Sequence, residues 1–172
     1  MVEDSLKSTN ISGAPSLFCE VQYFRSNRFM ILSLAVIFIA LAVHLIEIEK
    51  LSKRGITPYP LYILVAFILL IFLFTYFMNL KIEVSDSELK FIMIPLMFRA
   101  KRHQLSEIEK AEAISFRPIL DFGGWGIRYG KGMWAYNVYG NKGVVVYLKS
   151  GKKFLLGTQK PEELARSIMQ PL

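Results

Sequence analysis

The chain has 172 residues, one cysteine, two histidines and a formal charge of +7, and 53% of it is hydrophobic. A lone cysteine excludes an intramolecular disulfide, and no CxxC or Cys/His spacing suits a metal, so no cofactor is expected. Residues 1–80 hold six Lys/Arg and five Asp/Glu while residues 81–172 hold fifteen and nine; that basic half fits anionic lipid, and without a recognition helix or an RNP-like aromatic motif it excludes nucleic acid.

Residues 1–28 read as a polar leader. Asn10-Ile11-Ser12 has the form of a glycosylation acceptor but is a common chance triplet. Cys19 reads as an inert thiol, with acylation as the functional alternative. No signal peptide is expected, because the first apolar run starts late, lacks a small-residue cleavage site and is followed by another. Residues 29–80 predict a transmembrane helical hairpin. Its spans, 29–46 and 61–80, carry no charge and would measure roughly 27 and 30 Å as helices. Tyr59, Tyr62 and Tyr76 suit an aromatic belt, and His44 suits the wet end of the first span. Lys50, Lys53 and Arg54 in the link face Arg25, Arg28, Lys81, Lys90 and Arg99 on the terminal side, which predicts a multi-pass cell-membrane protein with both termini cytoplasmic.

In residues 81–172 the hydrophobic period changes from helical to alternating, with turn signals every eight to twelve residues. Ile82–Val84 and Leu89–Met93 form a hairpin ending at Pro95; Phe98–His103 reads as a polar edge strand, and Ile114 with Phe116 as a fourth. Trp134–Val138, Val144–Lys149 and Lys152–Leu156 complete seven, the last two joined through Ser150-Gly151. Ser106–Glu109 has the form of a capping box and predicts a short helical turn through Ala113. Pro161, Glu162, Glu163 and the apolar Leu164, Ala165, Ile168 and Met169 predict an amphipathic helix over 161–170, stopped before Pro171. The fold class expected is therefore α+β: the membrane hairpin, then a seven-stranded antiparallel barrel or sandwich closed by the C-terminal helix.

The runs VSDSELKFIMIPL (Val84 to Leu96), HQLSEIEKAEAI (His103 to Ile114) and GVVVYLKSGKKFLLGTQKPEELARSI (Gly143 to Ile168) resemble the bacterial pleckstrin-homology-like domains of small membrane proteins. The FGGWGIR core within Phe116 to Val144 is similar to a subfamily of uncharacterised prokaryotic proteins. The resemblance implies kinship with membrane proteins of unknown function and is mute about chemistry. It departs from phosphoinositide-binding relatives, because Val84 to Lys90 offers only Lys90 against Asp86 and Glu88.

Two groups of residues are the candidate sites. The glycine-rich segment Asp121 to Gly132 is either a tight bulged connection on which Trp125 packs, or a contact surface. In the second case Trp125 and Trp134 face a partner, with Arg117, Arg128 and Lys131 pairing to phosphate or acidic side chains. Its glycines lack the spacing and the strand–helix context of a nucleotide fingerprint. The other group, Arg99, Lys101 and Arg102 beside His103, is a basic face: a charged edge that prevents strand aggregation, or a lipid contact. No catalysis is expected, since the spacing offers His103 no nucleophile and Asp121 no second acid. The expected function is a membrane-anchored binding or scaffolding module presenting the Gly/Trp/Arg loop to a protein or anionic lipid. The alternative is an accessory subunit of a larger membrane complex, with the hairpin as its interface.

Overall fold

Apolar side chains recur at Leu80, Ile82 and Val84 and again at Leu89, Phe91 and Met93, and this period of two makes the segment a hairpin with one apolar, buried face. The structure, a computed structural model, describes residues 16–26, 28–54 and 59–169. The Asn10–Ser12 triplet, most of the leader and the expected helix stop at Gln170 and Pro171 lie outside the described residues.

The described chain forms two units, one helical, Phe24–Phe77, and one β-rich, comprising the residues up to Tyr23 and from Met78 onward. The β unit opens with β1 (Phe18–Tyr23); the helical unit follows with α1 (Arg28–Lys53) and α2 (Tyr59–Phe77). The chain then returns as β2 (Asn79–Val84), β3 (Glu88–Ile94) and β4 (Lys101–Gln104), completing a four-stranded antiparallel sheet in the order β1-β2-β3-β4. A second sheet contains β5 (Ile108–Ser115), β6 (Gly126–Gly130), β7 (Met133–Asn137), β8 (Lys142–Leu148) and β9 (Lys153–Gly157) in the order β5-β8-β9-β7-β6. Its β7–β9 pair is parallel and the rest are antiparallel. The short α3 (Pro118–Phe122) precedes β6, and α4 (Pro161–Met169) ends the described fold.

Leu80, Ile82 and Val84 of β2, with Leu89, Phe91 and Met93 of β3, are fully buried on one face of the first sheet. That face meets the second sheet through rings: Phe91 lies 4.8 Å from Tyr136 and 5.5 Å from Phe154. The second sheet is covered on both sides, its far face by Phe116 and Phe122, which pack on Ala135, Val145 and Leu155. Such two-sided burial explains why β8 reads as a continuous Val144-Val145-Val146 run instead of an alternation.

Polar contacts join β1 to the second sheet. Gln22 Nε2 donates to the Gly157 carbonyl at 2.7 Å, and Glu20 accepts from the Thr158 hydroxyl and from the Gln159 N–H at 3.0 Å. Burial raises the Glu20 carboxyl above the usual carboxylate range, while those donors and Lys160 act in the opposite direction.

Several expectations are corrected. Among the described residues no closed seven-stranded barrel forms; nine strands make two sheets, and β1 arises from the leader. Ser106–Ala113 is not helical beyond a single turn at Leu105–Glu107, because pairing with β8 overrides the helix preference of its Glu, Lys and Ala residues. Among the described residues no helix is long and apolar enough to cross a membrane, which overturns the two-span transmembrane hairpin, the cell-membrane placement and the cytoplasmic orientation drawn from it. The apolar run 61–80 does not form one helix: α2 ends at Phe77, and Asn79 and Leu80 belong to β2, with Leu80 fully buried. Helix α1 extends past the first run into the charged residues Glu47, Glu49, Lys50 and Lys53. Within the helical unit Ile37, Ala40 and Leu41 face Val65, Ile68 and Leu69, and His44 is buried edge-on against Tyr62 at 5.7 Å.

Gly130 is where α3 presses on β6. A Cβ there would sit 2.5 Å from the Asp121 carbonyl oxygen and 2.8 Å from Phe122 Cδ1. Gly130→Ala should lower stability by about 1–3 kcal/mol, the range for an overpacked site. Chemical denaturation checks this, and an unchanged midpoint would contradict the close approach.

Candidate functional site

The segment 117–137 is built from the turn outward. Lys131 and Gly132 adopt positive φ of 51° and 72°, the geometry of a two-residue hairpin turn whose twist matches its flanking strands. Register then pairs Tyr129 with Trp134, Arg128 with Ala135 and Ile127 with Tyr136. Since side chains alternate, Tyr129, Trp134 and Tyr136 share one face of the second sheet, while Arg128 shares the other with Ala135.

This alternation divides the first candidate group. On the α3 side, Asp121 gathers the cations: its carboxylate accepts from the Arg117 N–H at 2.7 Å and pairs with Lys131 Nζ at 2.9 Å and the Arg117 guanidinium at 3.7 Å. The Arg117 N–H, then Lys131, hold the Asp121 carboxyl below its ordinary range. Gly123, left-handed at φ 74°, ends α3 and completes this loop. Arg128 Nε donates to the Trp125 carbonyl at 3.1 Å, and Trp125 Nε1 to the Gly140 carbonyl at 3.3 Å. Arg117, Lys131, Arg128 and Trp125 thus brace the loop internally.

The opposite face carries the aromatic surface. Tyr129 and Trp134 meet edge to face at 5.4 Å and remain 63% and 49% exposed. Tyr136, two residues along, is only 3% exposed, with Phe91, Phe154 and Lys101 of β4 packed on it. The Lys101 ammonium donates to Tyr136 Oη at 2.5 Å and lies 4.9 Å from the ring centroid. The structure therefore places Lys101, a member of the other candidate group, on Tyr136, two residues along β7 from Trp134. Arg102 lies on the opposite face of β4 and is exposed, as is Arg99 in the loop before it. That loop also holds Phe98, 97% exposed, and Leu96, whose Cδ1 lies 3.9 Å from the Cβ position of Gly126.

Sequence reasoning missed Tyr129, Tyr136 and Asp121 as organising residues. A Tyr-x-x-x-x-Trp spacing across a Lys-Gly turn was the available signal for the ring pair. Among the described residues no group of three or more His, Cys, Asp or Glu side chains is placed to hold a metal. Burial raises the Cys19 thiol above its ordinary value and makes it a poorer nucleophile. No family model, no curated protein and no solved structure matches this chain.

His103 stacks on Phe154 at 4.9 Å and on Phe91 at 6.2 Å. Burial pushes its pKa down; Glu107 opposes this and Lys101 reinforces it. An imidazole with a lowered folded pKa stabilises the fold above its unfolded value of about 6.5, and that contribution is lost as pH falls through the folded pKa. The wild type should therefore lose stability relative to His103→Phe on acidification below about pH 6.5. Denaturation of both proteins across that range checks it, and a pH-independent difference would contradict the assignment.

Proposed function

We propose that this chain is a non-catalytic binding module whose β unit docks an acidic protein surface through the Tyr129–Trp134 rings and the cations around β4. The observation that carries this reading is the exposed Tyr129–Trp134 pair on the sheet face where Lys101 lies on Tyr136, two residues along β7. Large amphipathic rings left in water next to cations suit a partner with apolar and acidic groups. Local composition supports it: no Asp or Glu occurs between Glu88 and Glu107, nor between Asp121 and Glu162. An acidic partner approaching these segments meets little repulsion, and steering by the basic surface is screened within ~8 Å at physiological salt.

A second reading, that the helical unit supplies an interface to a larger assembly, is favoured by its exterior. Phe38 and Ile63 are each 69% exposed, with Val36, Ile39, Phe67 and Leu70 close behind. Contiguous apolar surface on this scale marks an interaction site.

The test of the first reading uses the full chain and a fluorescent glutamate–tyrosine copolymer. Binding should be salt-sensitive and should weaken at least about tenfold, or ~1.4 kcal/mol, in Arg99→Glu/Lys101→Glu/Arg102→Glu. Vesicles containing phosphatidylglycerol form the second arm. Absence of copolymer binding, or binding to vesicles alone, overturns the proposal.

A further inference from the structure

The sheets that face each other hold unequal numbers of strands, four against five. The rings Phe91 and His103 place β3 and β4 over β7 and β9, through Tyr136 and Phe154. Lys101 then lies on Tyr136, and among the described residues β4 is the last strand of its sheet. Along β9 the first sheet runs from β1, whose Gln22 and Glu20 meet Gly157, Thr158 and Gln159, to β4, whose His103 stacks on Phe154, so the position one strand spacing beyond β4, ~4.8 Å further along, is where the first sheet falls short of the second. That shortfall explains why Tyr129 and Trp134 are exposed although they share a face with buried Tyr136.

The free edge has a definite hydrogen-bonding pattern. Leu105 N–H donates to the Ser87 carbonyl at 2.8 Å, and the register continues as Gln104–Glu88, His103–Leu89, Arg102–Lys90 and Lys101–Phe91. Residues of an antiparallel pair alternate between bonded and non-bonded positions. With Leu105 bonded, His103 and Lys101 point their backbone groups toward β3, while Arg102 and Gln104 point theirs away from it. An open row of this kind is a template for one more strand.

We propose that an extended acidic segment of a partner protein adds to β4 as a fifth strand, bonding the backbone of Arg102 and Gln104. This inference rests on the binding-module reading and specifies its mode. Alternate residues of the incoming strand would face the Tyr129–Trp134 rings on one side and Arg102 on the other, so the partner alternates apolar with acidic residues. Charge complementarity selects this occupant: Arg99, Lys101 and Arg102 lie along the edge, and the segment from Leu89 to Ser106 contributes no carboxylate.

The experiment uses the full chain and three ten-residue peptides: one alternating glutamate with valine and tyrosine, the same composition in block order, and the alternating peptide N-methylated on the backbone edge that would face β4. The alternating peptide should bind at least tenfold more tightly than either control, slow amide exchange at Arg102 and Gln104, and lose affinity in Trp134→Ala, a surface change that leaves the fold intact. Equal affinity for all three peptides, or protection elsewhere than β4, overturns strand addition. If the glutamate–tyrosine copolymer still binds while the peptide order has no effect, strand addition fails alone; if neither probe binds, the binding-module reading fails with it. Binding confined to phosphatidylglycerol vesicles overturns both and assigns the edge to lipid.

Discussion

The contact between Phe91 and the rings of Tyr136 and Phe154 is the interaction on which the β unit depends. Phe91 is fully buried at the centre of the first sheet, and its two neighbours belong to different strands of the second. Truncating a core Phe costs about 3–5 kcal/mol, a large fraction of the marginal stability of a domain this size. The contact also fixes relative position: once Phe91 is seated, β4 must lie over β7 and β9, and Lys101 must reach Tyr136.

Beyond β4 the second sheet continues past Phe154 toward the β6–β7 turn, where Tyr129 and Trp134 are exposed. Burial of Tyr136 and exposure of Trp134 differ by one step of two residues along β7, and the boundary between them is the edge of β4. Asp121 contributes on the other side of the sheet by neutralising Lys131 and Arg117, so the hairpin is braced where it meets α3 and free where it faces the uncovered rings. The glycine-rich segment is a fixed connection on the α3 face of the sheet, and on the opposite face Tyr129 and Trp134 stay exposed.

Much of the β unit was legible. The β2–β3 hairpin, β7, β8, β9 and α4 follow from alternation or, for β8, a short β-branched run, from turn residues and from helix-capping chemistry, which are local signals. The strand β5 was hidden because Glu109, Lys110, Ala111 and Ala113 favour helix locally, and only pairing with β8 makes them extended. The strand β1 was hidden because its buried face holds Glu20 and Gln22, polar residues whose partners at Gly157, Thr158 and Gln159 lie far away in sequence. At the candidate site, composition pointed to Trp134 and Lys101 separately. Their juxtaposition is a tertiary fact, and the diversion of Lys131 and Arg117 to Asp121 could not be read from spacing. The apolar run 61–80 misled for a similar reason: hydrophobicity alone does not tell where a helix stops and a buried strand begins.

The most direct test of the open edge is residue-resolved amide hydrogen exchange on the free protein. The account predicts slow exchange at Lys101 and His103, whose N–H groups bond β3, and fast exchange at Arg102 and Gln104, whose N–H groups face outward. Equal protection at all four positions would mean that the edge is already covered, and the open edge of β4 would not stand.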